Sequence, residues 1–345
     1  MPMEPMLNSY NDNSAIQETC QTVGNPILID MATQWADGKH NGDLRFVRIA
    51  DYGCSGGRNS VRPVRDIVAT LRRRSNDIRV ECIFEDLPTN AWDLVIEQGG
   101  RLTSDLPDLQ VLCAGSSFYN QVCADNSVDL AYSYVASHFL SQPQPLSTHV
   151  MMHESRNGEK KTWEKQAADD WRKFLLLRAR ELQHGGKLMV STMSRGEDGY
   201  SWKAFSYLVW DAIQCVHAKG GLTKREAEAL CIPACLRSEA DIMAPFSSDP
   251  EVQAAYRLES LGFSRTSIEQ ENSLPKSELA SLLRRRTESV WGGMFITTLM
   301  NLGRAAGSAR ETMNQVWDLF EEAVGKDPNN GWRDMRFFCL QLTRN

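Results

Sequence analysis

Arg45-Phe46-Val47-Arg48-Ile49-Ala50-Asp51 runs without a break into Tyr52-Gly53-Cys54-Ser55-Gly56-Gly57. The first seven residues hold the short apolar run of a buried strand. The glycines after them form a tight turn in which the backbone can approach a ligand closely. Residues 59–74 then carry valine, isoleucine and leucine on one helical face. Strand, glycine turn and helix in that order open an α/β sheet, which binds ligands outside the carboxyl ends of its strands. The turn reads Gly-Cys-Ser-Gly-Gly, so it is not the G-x-G-x-x-G of dinucleotide binders. No Gly-Lys-Ser/Thr follows, so it is not a P-loop.

Outward from this turn the strand signals recur. Residues 78–84 predict a second strand ending in Glu85-Asp86, 109–113 a third, 127–134 a fourth and 187–193 a fifth. A long amphipathic helix over 163–182, closed by Gly185-Gly186, precedes the fifth. Alternating strands and helices predict a parallel, doubly wound sheet. Beyond residue 201 the pattern turns helical: 201–220 is aromatic-rich, 222–258 polar and mostly helical, and 276–323 helical again. Strands are expected at 263–268 and 337–342. The fold class is therefore α/β: a Rossmann-like, seven-stranded sheet with an α-helical cap over the strand ends. Residues 1–25, polar and without periodicity, read as an N-terminal arm or lid. Residues 26–195 form the ligand-binding core, completed by 259–272 and 330–345, and residues 196–258 and 273–329 form the cap.

The bulk properties narrow the function. The 345 residues carry a formal net charge of −6, which argues against nonspecific nucleic-acid binding. No apolar run reaches the roughly 20 residues needed to span a bilayer. The start, Met1-Pro2-Met3-Glu4, is not a secretory signal. Nine cysteines lie scattered without C-x-x-C pairs. That pattern predicts reduced thiols in a cytoplasmic protein, with neither a disulfide framework nor a metal site.

Three segments carry chemistry. Asp51 ends the first strand beside the glycine turn, where an acid can hold a ligand's cationic or hydroxylated parts. Asp86 in Phe84-Glu85-Asp86-Leu87-Pro88 ends the second, where an acid can accept both ribose hydroxyls of an adenosine. Ser117 and Phe118 in Gly115-Ser116-Ser117-Phe118-Tyr119 can flank an adenine ring. Taken singly, each is equally a structural turn, a solvated carboxylate or core packing. Two acids at consecutive strand ends with a glycine turn point to a nucleoside ligand.

Over almost its whole length the chain resembles the SABATH methyltransferases, the plant salicylic acid, benzoic acid and theobromine synthase group. The resemblance rests on Ser9-Tyr10-Asn11-Asp12-Asn13-Ser14-Ala15-Ile16-Gln17, on residues 49–59, on Glu85-Asp86-Leu87-Pro88 and on Ser117-Phe118-Tyr119. His138-Phe139-Leu140-Ser141 and the stretch Phe174-Leu175 to Lys187 add to it. It implies S-adenosylmethionine (SAM) as cofactor, with S-adenosylhomocysteine (SAH) as product, held by Tyr10, Asp51, Gly53, Cys54, Asn59, Asp86, Leu87, Ser117 and Phe118. It implies a small carboxylic acid as substrate, a homodimer, and Gln17 as one carboxylate donor. The family's other donor is a tryptophan at the position of Phe139, which has no N–H. Val135 stands where many members have a tyrosine, and Pro233-Ala234-Cys235 replaces the family's Pro-x-Tyr. The SAM half is thus preserved and the substrate half diverged.

A carboxylic acid with a pKa near ~4.3 is ionised at neutral pH, so its methylation needs no general base. Alignment and exclusion of water would carry the reaction, with Gln17 and His138 as positioning groups. Tyr207, Trp210, Trp291 and Met294 are expected to shape the substrate pocket with Phe139, although their helical spacing equally suits core packing. Arg58, where the family commonly has proline, suggests a diacid. Three rival readings are a heterocycle N-methyltransferase, a nicotinamide dehydrogenase, and a non-catalytic sensor of SAM or a small acid. The dehydrogenase would need a better glycine turn and an acid roughly 20 residues beyond it.

Overall fold

The computed structural model of the chain describes residues 14–39, 44–200, 202–267, 274–327 and 334–345. Tyr10, and with it most of the Ser9-to-Gln17 motif, lies outside the described residues. Seven strands form one sheet: β1 (Phe46–Tyr52), β2 (Arg79–Asp86), β3 (Leu109–Gly115), β4 (Val128–Tyr134), β5 (Leu182–Met193), β6 (Tyr256–Ser267) and β7 (Asp334–Arg344). Their order is β3-β2-β1-β4-β5-β7-β6. β1 lies between β2 and β4, pairing Asp51 with Phe84 on one side and Tyr132 on the other. This reversal of strand order is where open α/β sheets bind ligands. All seven residues of β4 are buried, as a central strand covered on both faces requires.

The expectation of a wholly parallel sheet needs one correction. β7 runs antiparallel to both neighbours, β5 and β6. β6 ends at the edge of the sheet where the cap stands, and β7 re-enters from that edge, so it must run back against β6.

On one face pack α1 (Ala15–Asp37), α2 (Val61–Arg72) and α3 (Trp92–Asp105); on the other pack α4 (Asn157–Glu181), α7 (Glu239–Ser248) and α8 (Pro250–Ala255). The cap consists of α5 (Lys203–Ala218), α6 (Lys224–Ala229), α9 (Lys276–Thr287), α10 (Gly293–Asn301) and α11 (Ala306–Lys326). A π-turn, Glu288–Gly292, joins α9 to α10. One apolar cluster runs from α1 and β1 through α5 to Trp317 and Phe320 of α11, so cap and sheet share a core.

Several expected boundaries move. Residues 15–25 are not an arm: they are the first half of α1, with Ile16, Gln17, Cys20, Gln21, Gly24 and Asn25 buried. Gly185-Gly186 does not separate helix from strand, because β5 starts at Leu182, directly after α4, and holds both glycines near an irregularity in its pairing with β4. β6 starts at Tyr256, within the stretch expected to be helical. Between α6 and α7 the chain is extended enough for Ala234 to bridge Phe139 and Arg237 to bridge Ser194. α3 has no counterpart in the sequence reading.

Candidate active site

The glycine turn closes on the end of β2. The amides of Gly53 and Cys54 both donate to the Glu85 carbonyl at 2.9 Å, and Gly53 N–H also reaches Glu85 Oε2 at 3.1 Å. Gly53 has φ +89°, and a Cβ there would land on the methyl of Ala136, so only glycine fits. The Phe118 ring lies beside the same point. It is held by Arg178, which donates to the Phe118 carbonyl at 2.8 Å and pairs with Glu181 at 2.8 Å, both side chains fully buried. The turn, the β4 loop and the loop after β3 thus form one cradle.

Two carboxylates border it. Asp86 accepts from Ser55 N–H at 2.7 Å and from Leu87 N–H at 2.8 Å, which leaves lone pairs on both oxygens. Burial pushes Asp51 up to about 7, and the charge of Asp86 adds to the rise. Burial likewise pushes Asp86 up to about 6, against the pull of the two amides. Acids held near neutrality by burial are stabilised as anions by an added cation. The residues therefore fit a nucleoside bearing sulfonium and ammonium charges, with Asp86 suited to the ribose. Asn59 turns partly toward α1: its side chain accepts from Ser14 Oγ at 3.4 Å and its carbonyl from Gln21 Nε2 at 2.6 Å. Ser117 Oγ accepts from Tyr119 N–H at 3.2 Å. The Cys54 thiol is pushed well up by burial, so it is no nucleophile.

Beyond the ends of β4 and β5 lies a cavity of about 490 Å³, partly open to solvent. α1 contributes Ile16 and Gln17. Val135, His138 and Phe139 come from the loop after β4, and Met193 from the end of β5. The cap supplies Trp202, Phe205, Arg286, Thr287, Val290 and Trp291. Among the described residues no aspartate or glutamate lines it. His138 Nδ1 is 2.7 Å from Thr192 Oγ1, and burial, helped by the nearby Arg237, holds the ring down to about 3, so it stays neutral. Val135 is held at φ +51°, a strained conformation for a β-branched residue, by its N–H bond to the Ser191 carbonyl at 2.8 Å.

Of the residues expected at the substrate, Gln17, His138, Phe139 and Trp291 meet around this cavity. Tyr207 is exposed and donates to Glu154 Oε2 at 2.7 Å. Trp210 packs near His149, and Met294 lies in the main core. None of these three lines the cavity, because their side of each helix faces elsewhere. Arg58 does not line it either; among the described residues Arg286 does. Met193, Trp202, Phe205 and Val290 also line the cavity without having been expected there from sequence. Their apolar side chains carry no local mark of a site.

The model of the family described as SAM dependent carboxyl methyltransferase matches residues 6–276. The salicylate/benzoate carboxyl methyltransferase of Arabidopsis thaliana is 26% identical over 204 residues, covering 54% of this chain and 53% of that protein. The chain thus spans about half the length of that curated relative. Methyltransferase FUS9 of Gibberella fujikuroi is 26% identical over 331 residues, covering 90% of this chain and 87% of its own. The solved structure of loganic acid methyltransferase with SAH superposes with a TM-score of 0.80 at 18% identity, covering 100% of this chain and 99% of that one, a likeness of fold. Cradle, cavity and family model agree: the chain belongs to the SAM dependent carboxyl methyltransferase family.

Proposed function

We propose that this protein transfers a methyl group from SAM to the carboxylate of a small organic acid. The observation that carries the reading is a cavity opening beside the cradle whose lining, among the described residues, brings buried polar side-chain ends, apolar rings and Arg286 but no acid and no protonatable histidine. An anionic oxygen needs donors and a dry wall, not a base. Bound SAM supplies an electrophilic methyl carbon, which bonds to a carboxylate oxygen as its bond to sulfur breaks and the electron pair stays on sulfur. The chain's share is alignment. Gln17 and His138 orient the acid, and the cap rings keep water out. Asp51, Gly53, Cys54, Asp86, Leu87, Ser117 and Phe118 hold the nucleoside, with Asn59 steadying the turn.

The relative named for salicylate and benzoate acts on aromatic acids, and we take an aromatic, furan or dicarboxylic acid as the substrate class here. On this reading the sheet binds SAM and the cap binds the acid. We also propose a homodimer, tested by light scattering on the eluting protein. A cytoplasmic location is supported by nine cysteines that are all unpaired. No helix among the described residues is long and apolar enough to cross a membrane.

The test is a panel assay of the purified chain with SAM and aromatic, furan and aliphatic mono- and diacids, plus xanthines, read by mass spectrometry. Methyl esters whose yield falls in Gln17→Ala support the reading. The unpaired Gln17 Oε1 could instead accept from a ring N–H, so N-methylated products would replace it with the heterocycle reading. SAM binding without turnover across the panel would replace it with a sensor.

A further inference from the structure

Three buried side chains around the cavity end in polar atoms with no hydrogen-bond partner: Gln17 Oε1, His138 Nε2 and Trp291 Nε1. Buried polar groups are nearly always paired, so three orphans at one cavity mark contacts that a ligand completes. Two of them are ambiguous, since an amide or a neutral imidazole can offer a donor or an acceptor. The indole nitrogen cannot: it only donates. Its ring is also firmly packed. Trp291 is 3% exposed, with Trp202 edge-on at 5.5 Å and Phe205 at 5.6 Å. Phe139, 4.3 Å from His138, brings no donor of its own.

The backbone adds a second observation. Trp291 lies in the π-turn Glu288–Gly292, between two α-helical stretches. A widened turn of this kind is rare and is frequent at functional sites. Thr287, which ends α9, and Val290 and Trp291 of the turn line the cavity side by side, so the turn forms part of its wall.

We propose that Trp291 Nε1–H is the directional donor to the acid's carboxylate, and so a specificity-determining residue. A donor-only group in a dry wall favours an anionic oxygen, gives a charge-assisted bond, and loses most of that bond when the oxygen becomes part of a neutral ester. Trp291 would thus hold the substrate and release the product. The inference rests on the carboxylate reading above and specifies how that same site recognises its ligand.

The test uses the whole chain, labelled with nitrogen-15 and saturated with SAH. The Trp291 indole resonance is assigned by its loss in Trp291→Phe. Benzoate is expected to move that resonance downfield, and methyl benzoate to move it much less. Trp291→Phe is expected to raise the KM for benzoate about ten- to one-hundredfold, with SAH affinity unchanged as the check on folding. Trp291→His, which keeps a ring N–H, should recover part of the loss. An indole signal that stays put while benzoate is still bound or esterified overturns this inference alone. A wild-type chain that neither binds nor esterifies any acid overturns the carboxylate reading and the inference with it.

Discussion

Asp51 and Asp86 stand at the carboxyl ends of adjacent strands and are both pushed up by burial, to about 7 and about 6. Each keeps its proton to a higher pH in the folded chain without ligand than an ordinary carboxyl does. Below the ordinary carboxylate pKa both states are protonated and nothing is gained or lost. As pH rises from about 4 to about 7 the folded chain binds protons that the unfolded chain has released, and these two residues cost it stability. A cationic ligand reverses the preference, because it binds the ionised form. SAM affinity is therefore expected to fall as pH drops from about 8 to about 5.5, by up to about tenfold per unit between the two values and more steeply below both. Calorimetric titration across that range checks this. Asp51→Asn should bind more weakly at pH 8 and flatten the upper part of the profile; a wild-type profile independent of pH would refute the electrostatic account. These acids, with Gly53 and Phe118, were legible in the sequence because each sits at a strand end or in a turn that local pattern marks. Arg286 and Trp202 were not. Nothing near them in the chain distinguishes a cavity wall from an ordinary helix face.

At the scale of the element, α1 departs furthest from expectation. Its sequence carries Gly24-Asn25-Pro26 mid-way, a triplet that reads as a turn. Pro26 removes a backbone donor and Gly24 weakens the helix. Tertiary contact overrides both. Gly24 lies against the Tyr134 ring, whose hydroxyl donates to Asn25 Oδ1 at 2.9 Å, while Asn25 Nδ2 donates to Asp66 Oδ2 at 2.9 Å. The triplet is thus the point where α1 docks on β4 and α2, and it fixes where Gln17 meets the cavity. A Cβ on Gly24 would lie 2.6 Å from Tyr134 Cε1. Gly24→Ala should therefore destabilise by about 1–3 kcal/mol despite alanine's better helix propensity. Urea unfolding measures it, and a gain in stability would show that Tyr134 yields freely. α3 escaped notice for a related reason: Gly99-Gly100 interrupts its pattern, yet Gly99 allows close approach to Val111 of β3, with a Cβ there only 3.0 Å from Cγ1.

Across the whole molecule, the cap is continuous with the sheet rather than hinged to it. The cluster that includes Leu28 of α1 and Ile49 of β1 also includes Phe205, Trp291 and Phe320. Phe205 and Phe320 meet edge to face at 4.7 Å, joining α5 to α11. One core predicts one cooperative unfolding unit. Differential scanning calorimetry should give a single transition, raised as a whole by SAH through mass action. Two transitions, only one of them moved by SAH, would mean that cap and sheet unfold separately. The amino-acid sequence by itself determined the strand-and-helix alternation, the glycine cradle with its two acids, and the family. These depend on residues close in the chain, where periodicity and spacing record them. Only the tertiary structure decided that α1 is continuous, that β7 runs backwards, and which aromatic rings wall the cavity. Those outcomes depend on which surfaces meet across tens of residues or more, and a side chain's own neighbours in sequence do not encode what it will face.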